Sequence, residues 1–430
     1  MLEGTHMNNS QNKKIAQVTD ETLVIGVDIG SDTHYARAIM GRGYEVSKKP
    51  FDFENTREGF DRFVNWAYQL AVVHQLTRIF VAVEPTGHYW FNLADYLKAY
   101  DVTLVMVAPQ HVKHSKEMDD NTQMKNDRKD PLVIARLVLE GRYMIPYIPD
   151  DVYAELRSAF NRRCDLVEAL NRNINRMIRW FDMYFPEYRT VYEKANAISG
   201  LLILMRAPLP SDILELGVDG ICRIWREAKL RAVGISRARK LVAAAENSIG
   251  LKGGEAIRRE LWQLMEVHEL LKKQLSDLMQ IIEGLLRKIP GADKLLKVPG
   301  AGIVTVAGFL SEVGDISRFT DPKQIQKLAG LAVVENSSGK RKGKPGISRR
   351  GRSRLRWVLF QLAMTTVKSN KEMKAYHLYY TTRENNPLKK MQSLMAIAGK
   401  MTRIFYGILK NGTEYNPEIV MKDFKKEATM

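Results

Sequence analysis

The sequence predicts an α/β domain built on a mixed sheet, followed by a mostly all-α remainder. Three observations carry that reading. Between residues 22 and 150, short apolar runs alternate with stretches of helical periodicity, as strands and helices packed in layers require. From about 151 the texture changes to two long amphipathic stretches with near-heptad apolar spacing. The 430-residue chain also carries a net charge of +17, which favours a polyanionic partner.

In order, Leu23–Ile29 reads as the first strand, and Tyr35–Met40 and Tyr44–Lys48 flank a Gly41-Arg42-Gly43 turn as a hairpin. Residues 56–75 are helical in pattern, with Phe60, Phe63, Val64, Ala67 and Leu70 on one face. Ile79–Glu84 is a continuous apolar run, as expected of a strand covered on both faces. Asn92–Ala99 reads as a short helix, Leu104–Val107 as a strand and Leu132–Glu140 as a helix. Pro131 falls in the first turn of that last helix, where a missing N–H costs nothing, so Asp127 and Asp130 are expected at its start.

Residues 153–182 form a long helix with Leu156, Phe160, Leu166, Leu170, Ile174, Met177 and Ile178 inward. Its other face carries Arg157, Arg162, Arg163, Arg172, Asn175, Arg176 and Arg179. Residues 255–287 form a second, and the two are expected to pair as an antiparallel coiled coil, within one chain or between chains. The stretch 195–235 reads as less regular. Val298-Pro299-Gly300-Ala301-Gly302 has the form of a helix-hairpin-helix turn, whose backbone N–H groups can hold a phosphate. Residues 353–369 and 391–408 read as closing helices.

Composition excludes several classes. Hydrophobic content of 45% and charged content of 27% suit a globular protein rather than a disordered one. No apolar run reaches the ~18 residues of a membrane span, and no secretory signal is visible. Two cysteines, Cys164 and Cys222, give neither a disulfide framework nor metal spacing, so a reducing cytoplasm is the expected compartment. Met1–Met7 reads as a tag remnant, and the leader to residue 21 as flexible.

Four carboxylates stand out. Asp28 and Glu84 end apolar runs, and Asp127 and Asp130 lie three apart, on one face of a helical turn. Two strand ends and one helix start can bring all four to one sheet edge, as an RNase-H-like fold does. Two-metal phosphoryl transfer needs carboxylates holding two Mg²⁺ ions about 3.5–4 Å apart. The plain alternative is local capping or pairing, with Glu84 on an arginine and the two aspartates at an N-cap. Gly26-Val27-Asp28-Ile29-Gly30-Ser31 also looks like the first phosphate loop of actin-like ATPases and sugar kinases, but no second Asp-x-Gly loop or adenosine-binding segment follows.

The most basic segment carries Lys340, Arg341, Lys342, Lys344, Arg349, Arg350, Arg352, Arg354 and Arg356, with no acid among them. Ser337 and Ser338 precede it. A serine flanked by cations could attack phosphorus if activated, or could belong to an ordinary phosphate-binding loop.

Together these stretches resemble the DEDD-type insertion-sequence transposases, the IS110 family, which includes site-specific invertases and RNA-guided bridge recombinases. The matching runs are Val27-Asp28-Ile29-Gly30, Glu84-Pro85-Thr86-Gly87-His88-Tyr89-Trp90, Lys125-Asn126-Asp127-Arg128-Lys129-Asp130, Pro299-Gly300-Ala301-Gly302, Leu328-Ala329-Gly330-Leu331, Ser338-Gly339-Lys340, and Ile347-Ser348-Arg349-Arg350-Gly351 through Leu355-Arg356, in the family's order. The resemblance implies a RuvC-like catalytic domain over 22–150 and a coiled-coil region with an insertion over 151–288. It also implies a transposase domain over 289–415 and a tail over 416–430.

It further implies that Asp28, Glu84, Asp127 and Asp130 bind Mg²⁺, with Mn²⁺ a possible substitute, and that Ser338 is a nucleophile linking to cut DNA. The expected partners are element and target DNA, a non-coding guide RNA, and further copies of the chain in a dimer or tetramer inside a prokaryotic cell. Asn126 departs from the family's usual Thr, 195–255 reads as an insertion, and Ser337 adjoins Ser338. Two other readings of the residues remain: a RuvC-like junction nuclease using water, and a non-catalytic nucleic-acid-binding protein. Tyr89 and Trp90 are expected to pack beneath the loop after Glu84.

Overall fold

A computed structural model describes residues 11–47, 49–85, 87–119, 130–231, 233–334, 337–338, 341–342 and 346–429, with the backbone alone for 116–119, 337–338, 341–342 and 425–429. The chain divides into two compact units at Ile148/Pro149.

The first unit holds a six-stranded sheet in the order β3-β2-β1-β4-β5-β6. Its strands are β1 (Thr22–Asp28), β2 (Thr33–Met40), β3 (Phe51–Glu54), β4 (Arg78–Val83), β5 (Thr103–Val107) and β6 (Tyr143–Met144). β1, β4 and β5 run parallel, while β2, β3 and β6 pair antiparallel to their neighbours. Helices α1 (Arg57–Val73), α2 (Trp90–Leu97), α3 (Pro109–Asp119) and α4 (Asp130–Leu139) complete the unit. This is the mixed sheet of an RNase-H/RuvC-like domain, as the apolar runs predicted.

Period-two alternation sorts the sheet into two faces. Leu23, Ile25, Val27, Ile79, Val81 and Val83 pack with α1 and α2, where Phe63, Ala67, Leu93 and Leu97 meet them. Val24, Phe80, Ala82, Val105 and Val107 pack with Val133, Ile134, Leu137 and Val138 of α4. Thr56 caps α1 by accepting from Gly59 N at 3.1 Å.

Two expectations for this unit change. The hairpin arm expected over Tyr44–Lys48 shrinks to a single bridge, Ile39↔Glu45. Gly43 turns the chain at φ +87, and Ser47 Oγ, not a backbone group, accepts from Ala38 N at 2.8 Å. Phe51–Glu54 continues the sheet instead, with Phe53 stacked on Phe63 at 4.4 Å. The described part of the leader is anchored: Lys14 Nζ donates to Tyr143 O at 2.6 Å, and Tyr143 Oη donates to Lys14 O at 3.0 Å.

The second unit is helical. Its two long helices, α5 (Asp151–Tyr184) and α10 (Glu255–Lys288), pair antiparallel within the chain. Asn173 Nδ2 donates to Leu264 O at 2.9 Å and Trp180 Nε1 to Ile257 O at 3.1 Å near one end. Leu156 and Phe160 join Ile282, Leu285 and Leu286 near the other.

Between them lie α6 (Tyr188–Val191), α7 (Ile198–Leu204), α8 (Pro210–Glu227) and α9 (Ile235–Glu246), where the sequence reads as irregular. These helices enclose an aromatic core of their own. Tyr188 stacks on Phe181 at 4.3 Å, and a Cβ on Gly200 would lie 1.9 Å from the Tyr188 hydroxyl, so only glycine lets the two meet. Trp225 Nε1 donates to Ser199 O at 2.8 Å.

After α10 come α11 (Ala292–Leu296), α12 (Ile303–Val313), α13 (Pro322–Leu328), α14 (Ser353–Ser369), α15 (Lys371–Thr382), α16 (Lys390–Asn411) and α17 (Pro417–Thr429). They share one core with the Leu156 end of the long pair. Gly300, at φ +89, sits where a Cβ would lie 2.7 Å from Thr366 Cα, so the glycine turn before α12 is pressed against α14. Among the described residues no helix is long and apolar enough to cross a membrane.

Candidate active site

The acids follow from the sheet. Asp28 is the last residue of β1 and Glu84 follows the last residue of β4. The parallel register pairs Val27 with Val83, so Asp28 and Glu84 stand at the same level on neighbouring strands, which lie about 4.8 Å apart. Alternation puts Asp28 on the face of Val24 and Glu84 on the face of Phe80 and Ala82, which is the face α4 covers.

Gly26 brings the start of α4 to that face. A Cβ there would lie 1.8 Å from Pro131 O and 2.8 Å from Ala135 N, so the first turn of α4 touches the β1 backbone one pleat before Asp28. Asp130 is the first residue of α4 and is 8% exposed. Asp127 lies outside the described residues, and among those described no three His, Cys, Asp or Glu side chains are grouped closely enough to hold a metal ion. Asp28, Glu84 and Asp130 supply the hard oxygen donors that Mg²⁺ and Mn²⁺ prefer, so their chemistry fits such an ion.

The turn after Asp28 is held from below by a residue that sequence reasoning missed. His34 on β2 is fully buried, and its Nδ1 accepts from Gly30 N at 3.2 Å. Its ring lies edge-on to Phe53 at 5.1 Å, and burial pushes its pKa below the ordinary histidine value, with Asn55 nearby acting in the opposite direction. Because Nδ1 accepts that N–H, the ring proton is assigned to Nε2. Only the β1–β2 register, which sets Tyr35 opposite Asp28, shows that His34 lies under this turn.

Past Glu84, Trp90 packs in the core at 6% exposure, while Tyr89 remains 36% exposed with its ring 4.3 Å from His88. The packing expected for both holds for Trp90 alone, because Tyr89 is the N-cap of α2 and stands outside the helix.

Ser337–Ser338 forms a short strand paired with Arg341–Lys342, with Ser338 opposite Arg341. Val333–Val334 pairs with Gly346–Ile347 outside it, so the basic loop is a β-hairpin rather than an open turn. Lys340 and Lys344 lie outside the described residues.

The basic residues divide by what they touch. Arg157 Nε donates to Ser311 O at 2.8 Å and Arg352 Nη1 to Glu312 O at 2.6 Å, closing the carbonyl end of α12. Arg356 Nη1 donates to Ala329 O at 2.9 Å, past the end of α13, and Arg354 donates to Asn161 Oδ1. Arg157, Asn161, Glu312, Arg352 and Arg354 line an open cavity of about 280 Å³. Arg163 is half-buried, with its guanidinium 5.9 Å from the Phe160 ring centre. Arg162, Arg172, Arg176, Arg349 and Arg350 are exposed.

Carboxylates at strand ends of an RNase-H-like sheet, in one chain with a cation-rich helical unit, suit an enzyme that acts on DNA strands. Comparison with known proteins gives the family. A family model described as "Transposase" matches residues 25–186, and one described as "Transposase IS116/IS110/IS902 family" matches residues 292–378, together more than half the chain. The chain belongs to the IS110 family of DEDD transposases.

Similar proteins include the uncharacterized 44.8 kDa protein of insertion element IS116 from Streptomyces clavuligerus, 23% identical over 92% of this chain and 97% of its own length. The pilin gene-inverting protein of Moraxella bovis is 20% identical over 92% of this chain and 98% of its own. The transposase for insertion sequence element IS1111A from Coxiella burnetii is 25% identical over 94% of each.

Proposed function

We propose that this transposase cuts and rejoins insertion-sequence and target DNA through a phosphoserine intermediate on Ser338, at a site whose acids are Asp28, Glu84, Asp127 and Asp130. The observation that supports the reading is the level placement of Asp28 and Glu84 on adjacent parallel strands, with the first turn of α4 seated against β1.

The four acids would hold Mg²⁺, or Mn²⁺ in its place, which lowers the charge on the scissile phosphate and activates the attacking oxygen when bound. Ser338 Oγ forms a bond to phosphorus as the phosphorus bond to a deoxyribose oxygen breaks. The serine gives up its proton and the released strand end takes one, so a second DNA end can reverse the step and rejoin. Arg341 and Lys342, next to Ser338 on the paired strand, are assigned to the phosphate. Acids and serine come from one subunit or from two in a dimer or tetramer, and a non-coding RNA selects both DNAs.

The test is adduct trapping on element-end DNA. A covalent adduct that disappears in Ser338→Ala and survives in Ser337→Ala is expected. Cleavage that continues in Ser338→Ala would instead identify water as the nucleophile, as in a junction nuclease. Sequencing nucleic acid that copurifies with the chain tests the guide: one discrete RNA supports guidance, and random fragments count against it.

A further inference from the structure

Asp28 is followed by a turn, Ile29-Gly30-Ser31-Asp32, that leads into β2. The backbone of that turn is gripped from β2 and from the residue after β3. His34 Nδ1 accepts from Gly30 N at 3.2 Å, Asn55 Nδ2 donates to Ser31 O at 3.1 Å, and Asn55 N donates to Asp32 O at 2.8 Å. The β2–β3 register brings the two residues together: His34 pairs with Phe53 and Thr33 with Glu54, the residue before Asn55. Ile29 fixes the other end of the turn, 5% exposed in the core of the sheet. A Cβ on Gly30 would lie 2.2 Å from Thr33 O, so the turn is closed tightly on itself.

Packing alone does not account for a histidine here. The ring has no exposed surface and lies against Phe53 at 5.1 Å and Phe60 at 6.2 Å, nearly parallel to the latter. His34 Nε2 and Asn55 Oδ1 are both buried, with no hydrogen-bond partner among the described residues. Unpaired buried polar atoms cost stability, and a leucine or phenylalanine in this aromatic surrounding would avoid that cost. What the imidazole supplies and an apolar side chain cannot is one acceptor under the Gly30 N–H, two residues from the Asp28 carboxylate.

We propose that His34 and Asn55 are positioning residues for Asp28: they clamp the turn after β1 so that the carboxylate keeps one orientation toward a divalent ion. This rests on the metal-binding role proposed for Asp28. Neither side chain is assigned to the ion itself; both act through the Gly30, Ser31 and Asp32 backbone. Groups that orient a metal ligand in this way commonly carry about 10–100-fold in metal affinity.

The experiment measures Mn²⁺ binding to the full chain by electron paramagnetic resonance, without DNA, beside thermal unfolding of the same samples. His34→Leu is expected to melt near the parental temperature and to bind Mn²⁺ about 10–100-fold more weakly. His34→Asn, whose Oδ1 can accept from Gly30 N in place of Nδ1, is expected to recover most of that affinity. Asn55→Ala is expected to weaken binding in the same direction, and tests the clamp independently of any change at the buried ring. Asp28→Asn serves as the reference. If it loses the ion while His34→Leu and Asn55→Ala bind at parental strength, the clamp is overturned and the metal role of Asp28 stands. If Asp28→Asn binds at parental strength, both are overturned. Weaker binding in His34→Leu that tracks a lower melting temperature, with no recovery in His34→Asn, would reduce the histidine to packing and also overturn the proposal.

Discussion

Gly26 of β1 and Pro131 of α4 make close backbone contact: a Cβ on Gly26 would lie 1.8 Å from the Pro131 carbonyl oxygen. That approach seats the first turn of α4, which begins at Asp130, on β1, one pleat before Asp28.

Gly26→Ala is expected to push α4 off the sheet. Overpacking of this kind costs about 1–3 kcal/mol, and the displaced helix start should also reduce DNA cleavage. Denaturant unfolding and a cleavage assay together check it; a variant with parental stability and parental cleavage would show that the close approach is unnecessary.

Asp28→Asn and Glu84→Gln keep side-chain shape and remove a negative donor from the site. Each is expected to cut strand cleavage by at least about a hundredfold while DNA binding persists. Cleavage and gel-shift measurements on one preparation decide it, and cleavage near the parental rate in both variants would remove these acids from the mechanism.

The arginines should separate into two groups. Arg157→Ala leaves the Ser311 and Glu312 carbonyls short of a donor, and Arg352→Ala does so at Glu312, for an expected loss of about 1–3 kcal/mol in unfolding free energy. Arg162→Ala, Arg172→Ala and Arg176→Ala remove exposed charges. They should shallow the salt dependence of DNA binding by about 0.9 for each phosphate left unneutralised, while stability stays within about 0.5 kcal/mol. Calorimetry paired with salt titration tests the division, and equal stability losses in both groups would erase it.

His268 gives a pH dependence. It is 1% exposed on α10, its Nδ1 has no partner, and burial is the main cause holding its pKa below the ordinary value. The unfolded chain takes up the proton near pH 6.5, before the folded chain does. Its neutral form therefore contributes fully above about pH 6.5, and that contribution is lost as pH falls toward the lower folded pKa. Melting temperatures between about pH 7.5 and pH 5 should fall less steeply in His268→Leu than in the parent; parallel curves would refute the assignment.

The sheet was legible because β1 and β4 are buried on both faces, and such strands appear as unbroken apolar runs. The long helices were legible from periodicity sustained over many turns, and Asp28 and Glu84 were conspicuous because each follows such an apolar run. Other features depend on partners far along the chain. Phe51–Glu54 takes the edge in place of Tyr44–Lys48 because Phe53 has Phe63 to stack on, which no local pattern reveals. The helices over 188–246 enclose an aromatic core whose closest contact, Tyr188 on Gly200, joins two short and individually weak elements. The structural bonds of Arg157 and Arg352 were not legible because the carbonyls they reach belong to Ser311 and Glu312, far along the chain. The hairpin bearing Ser338 has ladders of only two residues each, too short for alternation to show.

The acids come from three separate elements: the end of β1, the residue after β4 and the start of α4. A chain still leaving the ribosome has no such edge until α4, which ends at Leu139, has emerged and settled on Gly26. The site proposed for this chain needs that helix start, so a nascent or truncated chain ending before it is expected to be harmless to nearby DNA.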